Sequence, residues 1–161
     1  MNLLLLKQLS ILGAIVGAFA GLIATIPVLF WICILIAMFW ISAFVLVYLK
    51  QNNFIGIINV REGSIFGALI GFVSFIAFSI IFIPISSLLG LIFKSYSLDV
   101  LKFFMNDFGS FIVLILLIIS TAGLAALFNG FTGLITAYIF ELVTGIKKES
   151  DENNSVDFTI E

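Results

Sequence analysis

Charged residues are clustered along this chain, and between the clusters lie three stretches with none: Gln8–Leu49 (42 residues), Gly63–Phe93 (31) and Phe108–Phe140 (33). A hydrocarbon core roughly 30 Å thick is crossed by about 20 apolar residues of helix. The first stretch would make a helix of roughly 60 Å, about twice that thickness, so it must turn back on itself. The turn falls at Thr25-Ile26-Pro27, where proline removes a backbone donor and clashes with the preceding turn. The pattern predicts an all-α membrane protein with four transmembrane helices in a glycine-packed bundle. They cover about residues 9–26, 28–49, 63–85 and 110–143.

The connections follow from the breaks. Lys50-Gln51-Asn52-Asn53 ends the second helix, and a short polar loop runs to Arg61-Glu62. Pro84, followed by Ser86-Ser87, is expected to kink or end the third helix near its far end. In segment 94–108, Leu98, Leu101, Met105 and Phe108 recur at helical spacing, with Ser97 as a cap. This reads either as a short helix lying flat at the membrane surface or as a loop tethered by its aromatic side chains. The last run is expected to continue as one helix through Asn129-Gly130 to about Val143, the alternative being a fifth short crossing over 131–146. Residues 1–146 thus form the transmembrane domain, and 147–161 a disordered acidic cytoplasmic tail. Its end, Val156–Glu161, alternates apolar and polar residues and reads as a frayed terminus or a strand for a partner's sheet edge.

Glycine spacing adds a packing expectation. Gly13, Gly17 and Gly21 lie four apart in the first helix, and Gly63, Gly67 and Gly71 in the third. Such spacing puts them on one helix face, where two backbones can approach and gain van der Waals contact inside lipid. Both helices run the same way across the membrane, so the two grooves are expected to face each other at one depth. Gly123, Gly130 and Gly133 of the last helix are expected to join them.

Composition narrows the function classes. The chain is 63% hydrophobic and 10% charged, against roughly 25% charged in soluble domains, so little remains outside the membrane to form a soluble catalytic domain. A net charge of −2, confined to ends and loops, gives no basic face for nucleic acid. There is no histidine, which removes the commonest metal ligand and general base together. The single cysteine, Cys33, cannot form an intramolecular disulfide. Ala18-Phe19-Ala20 resembles a signal-peptide cleavage site, but the apolar run continues past it, so residues 10–26 read as a retained helix. Glu141 is the one ionisable side chain within an apolar segment and lies near its end; Asn129 is the most polar side chain in mid-segment.

Orientation follows from the basic residues. One side would hold Lys7, Lys50, Arg61, Lys147 and Lys148, the other only Lys94 and Lys102. Lys and Arg prefer the cytoplasm, so a multi-pass protein of the cell (plasma) membrane with both termini cytoplasmic is expected.

From Gly13 to about Phe78 the chain resembles a loose family of small bacterial multi-pass membrane proteins with no assigned activity. The matching elements are Gly17–Gly21, Pro27, Cys33, Lys50, and Glu62-Gly63 through Gly71. It departs by having one cysteine where such proteins can have two, and Trp40-Ile41-Ser42 where they often have glycines. The resemblance implies a bacterial cytoplasmic membrane. The expected role is non-enzymatic: a structural element or small subunit, with no catalytic residue, metal or cofactor. The expected partners are the lipid bilayer and either a second copy or another membrane protein. The alternative is an oligomeric channel or transporter for a neutral solute, lined by Ser64, Ser74, Thr132 and Thr136.

Overall fold

Pro27 sets the first corner of the chain. In the computed structural model, which describes residues 3–52, 54–56, 58–93 and 108–154, helix α1 covers Leu3–Ile23 and α2 covers Pro27–Phe39. Ile26 is extended (φ −81°, ψ 116°), as the residue before proline prefers, and Pro27 occupies the first helical position, where no N–H is needed. The Thr25 hydroxyl donates to the Leu22 carbonyl at 2.7 Å and closes the end of α1. Helix α3 covers Ile41–Gln51, α4 Val60–Phe93 and α5 Phe108–Asn154. Among the described residues all regular structure is helical.

Three helices contain segments long and apolar enough to cross a membrane: Leu5–Ile23, Val60–Gly90 and Gly109–Thr144. The pair α2–α3 makes a fourth if counted as one span, but it is bent by 64°. The expectation of one continuous helix over 28–49 is therefore corrected: the chain breaks at Trp40. Helix α4 continues through Pro84 to Phe93 rather than ending there, and α5 continues through Asn129-Gly130. It also carries on through Lys147 to Asn154, into the segment expected to be disordered. The surface segment 94–107 and the terminal alternation 156–161 lie outside the described residues.

Helix α4 is central, and its two largest interfaces are with α1 and α5. Its start is capped in the usual way: the Glu62 carboxylate, at the third helical position, accepts from the Asn59 N–H at 3.4 Å. Leu9, Ile41, Leu46 and Ile70 are fully buried where α1, α3 and α4 meet. A second cluster gathers Phe75, Ala122 and Ala125 against Ile34 and Met38 of α2. Phe75, Phe78 and Phe82 stack along α4 at centroid distances of 5.8 and 5.5 Å. Phe30 of α2 continues the column at 5.2 Å from Phe82. Aromatic stacking thus ties the broken segment to the central helix.

Candidate functional site

The glycines decide how closely the three long helices approach. Ile70, Ser74 and Phe78 lie opposite Gly13, Gly17 and Gly21 respectively. A Cβ on Gly21 would stand 2.6 Å from the Phe78 carbonyl oxygen; on Gly17 it would stand 2.6 and 2.7 Å from the backbone carbons of Ser74 and overlap its carbonyl oxygen. The second motif meets α5 instead. Gly63 lies against Ala137 and Gly133, Gly67 against Asn129 and Gly133, and Gly71 against Asn129 and Ala125. A Cβ on Gly130 would stand 3.3 Å from Ser64 O and Ala68 Cβ, whereas one on Gly123 would meet nothing within 4 Å.

The two three-glycine motifs therefore do not face each other, and the expected common depth is corrected. Gly13 stands level with Ile70, seven residues beyond Gly63, or roughly 10 Å further along α4. The reason lies in α4. Its stripe Gly63–Gly67–Gly71 receives α5, while the adjacent stripe Phe66–Ile70–Ser74–Phe78, about 100° away around the helix, receives α1.

The break at Trp40 is the chemically distinctive point. In a continuous helix the carbonyls of Ala37, Met38 and Phe39 would accept from the N–H groups of residues 41, 42 and 43. Here they are satisfied from α5. The Asn129 side-chain amide donates to Ala37 O at 3.1 Å, to Met38 O at 2.8 Å and, within its own helix, to Ala125 O at 3.0 Å. Two protons serve three carbonyls, so one bond is shared. Thr132 Oγ1 donates to Phe39 O at 2.7 Å, and Ser42 N–H donates to Asn129 Oδ1 at 2.9 Å. The Ser42 hydroxyl closes the knot by donating to Asn129 O at 2.9 Å. Helix α3 then resumes with Phe44 N–H donating to Trp40 O at 3.2 Å.

Asn129 and Ser42 are fully buried, and the amide's two protons and its oxygen are all engaged with backbone groups. Burying an unpaired amide costs about 1–3 kcal/mol, and the freed backbone groups would cost a similar amount each. The break and the asparagine thus satisfy each other. The other buried polar side chains bond their own helices: Ser74 donates to Gly71 O, Ser79 to Phe75 O and Thr136 to Thr132 O. Among the described residues, only Ser87 Oγ is buried without a hydrogen-bond partner. No group of three metal-ligating side chains occurs among them either. Glu141 is exposed, and Cys33 is buried within the apolar core.

Of the solute-lining candidates, Ser74, Thr132 and Thr136 are engaged with backbone carbonyls, and Ser64 borders a groove. That groove, about 300 Å³, runs between α4 and α5 past Ala68, Ala126 and Gly130 and opens to the side. No protein-family model, curated protein or solved structure matches the chain significantly.

Proposed function

We propose that this chain is a non-enzymatic integral membrane protein of a bacterial plasma membrane, with α2–α3 as one broken crossing and both termini cytoplasmic. Its role is that of a structural element or small subunit, presenting helix faces to a second copy or to another membrane protein. The observation that carries this reading is the first part of α5. Phe111, Ile112, Val113, Ile115, Leu116, Leu117 and Ile119 are all exposed, which leaves the helix apolar around most of its circumference. An all-round apolar helix needs lipid or other helices around it. The interior supports the non-enzymatic half of the proposal, because its buried polar groups are spent on holding backbone together. Alkaline carbonate washing of membranes tests insertion, and the chain is expected to stay in the pellet. Native-detergent purification tests the role: recovery of a stable homo-oligomer or of one membrane partner supports it. Monodisperse monomer that carries nothing refutes it.

One observation favours a second reading, a transporter for a neutral solute. Broken helices at mid-membrane commonly build transport sites because they expose backbone groups. In this chain those groups are occupied by Asn129 and Thr132, so this reading requires the knot to open. Solute flux into vesicles that is abolished by Asn129→Leu, in a chain that still inserts, would favour it over the subunit role.

A further inference from the structure

The far side of α5 is left open by the fold. Leu124, Leu127, Phe131, Tyr138 and Leu142 lie within an arc of about 60°, turned away from Asn129 and the α4 interface, and all five are exposed. Leu127 and Phe131, one turn apart, are the most exposed of the five, at 71 and 65%. Beside them runs the α4–α5 groove of about 300 Å³, walled by Ser64 and Ala68 of α4 and by Ala126 and Gly130 of α5. Small residues make the recess and the two large side chains stand on its rim, so a hole and its knobs lie next to each other at one depth. The five side chains expose roughly 600 Å² per copy before the groove walls are counted, and a standard stable interface takes about 800 Å² from each partner. Lipid does not reach the whole of this face. Gly63 lies against Gly133 and Ala137 of the antiparallel helix, so Arg61 stands level with Ala137. Leu142, five residues further along α5, is roughly 7 Å beyond that charged start of α4.

We infer that this face is the contact between two copies of the chain, paired side by side about a two-fold axis along the membrane normal, with Leu127 and Phe131 of each copy seated in the α4–α5 groove of the other. Copies inserted in the same direction carry the same residues at the same depth, so that axis sets the knobs of one copy opposite the recess of its partner. The surface is its own complement, which a different membrane protein would have to supply separately. The recess lets the partner's side chains come close to the backbone and gain van der Waals contact, the attraction available between helices in lipid. Pairing also covers Tyr138 and Leu142 where α5 passes the start of α4. The inference rests on the subunit reading above and narrows its partner to a second copy.

The test uses the full chain, fused after Glu161 to a donor or an acceptor fluorescent protein and reconstituted together in phosphatidylcholine vesicles. Energy transfer is followed as lipid is added. The unaltered chain should transfer as a dimer that dissociates on dilution. Leu127→Ala/Phe131→Ala truncates exposed side chains only and should weaken the association about tenfold or more. Ile15→Ala/Phe19→Ala is the matched control: an aliphatic and a phenylalanine, also exposed and four residues apart, but on α1. It should leave the association unchanged. In a Cys33→Ala background, Leu127→Cys should form a disulfide-linked dimer on mild oxidation in the membrane, and Phe19→Cys should not. Absence of transfer by the unaltered chain at every lipid ratio overturns the inference. So does a dimer weakened equally by both double variants, or by neither. A chain that stays monomeric but purifies with another membrane protein overturns this pairing alone and leaves the subunit reading standing. Release of the chain by alkaline carbonate overturns both.

Discussion

Gly17→Ala is the smallest change that tests the α1–α4 interface. A methyl at Gly17 would meet the Ser74 backbone with its carbonyl carbon at 2.6 Å and its Cα at 2.7 Å. Ordinary Cβ contacts lie at 3.4–4 Å and the Ser74 carbonyl oxygen is nearer still, so the helices must part by about 1 Å or more, since the obstacle is backbone and cannot rotate away. A gap of that size forfeits about a quarter to a half of each dispersion contact it opens. The loss should fall in the overpacking range, about 1–3 kcal/mol, or a Tm lower by roughly 3–10 °C for a chain of this size. The series along α1 and α5 supplies its own controls. At Gly13 a methyl meets its nearest atom, Ile70 O, at 3.4 Å, an ordinary contact, so Gly13→Ala should change stability little. A methyl on Gly123 would meet nothing within 4 Å, so Gly123→Ala should be neutral or stabilising by up to about 1 kcal/mol through helix propensity. Thermal unfolding in one detergent, followed by circular dichroism, measures all three. A Gly17→Ala protein as stable as Gly123→Ala, or no more affected than Gly13→Ala, would refute the close-packed seam.

Three other outcomes are expected. Asn129→Leu should cost about 1–3 kcal/mol and let α2–α3 straighten, because its freed carbonyls and N–H groups can then pair with each other. With the 64° bend removed, the Val28-to-Gln51 separation grows from roughly 29 to roughly 35 Å, readable between spin labels in a Cys33→Ala background; an unchanged distance refutes the latch. Thr132→Val keeps the shape but removes the donor to Phe39 O, for a loss of about 1 kcal/mol in the same melt; a Tm equal to that of the parent chain would show that bond to be worthless. Reporters fused after Glu161 and within 94–108 should read cytoplasmic and external respectively, and a C-terminal reporter found outside would overturn the topology.

Much of the architecture was legible because its causes are local. Pro27 announces the α1–α2 corner, and the polar run ending at Arg61-Glu62 marks the connection before α4, which starts at Val60, a few residues before the expected Gly63. Spacing of four identified the glycine faces. It could not identify the neighbours, because α4 offers two adjacent stripes and a period only says which residues share one. The break at Trp40 had no local sign: residues 28–49 contain neither glycine nor a second proline. The side chain that takes up its freed backbone groups, Asn129, lies 87 residues away from Ser42, on α5. Ser42, which can compete for backbone groups, was the single hint, and an isolated serine in an apolar run is a weak one. Asn129 stands out in the sequence for its polarity, but the four backbone groups that its side chain bonds, spread over α2, α3 and α5, cannot be read from its position.

The separation between the break and its cap has a consequence for how the chain is made. Helices α2 and α3 leave the ribosome well before Asn129 is synthesised, and until then nothing on α5 can take the carbonyls of Ala37, Met38 and Phe39. The nascent segment should therefore enter as one straight helix and fold at Trp40 only when α5 arrives. The bend is thus a late event, a mark that the last helix has docked. Chains arrested before residue 129 should carry the straight form, and chains released after it the bent one. Labels at Val28 and Gln51 on arrested intermediates would show the change; a bend already present before α5 exists would assign it to some other cause.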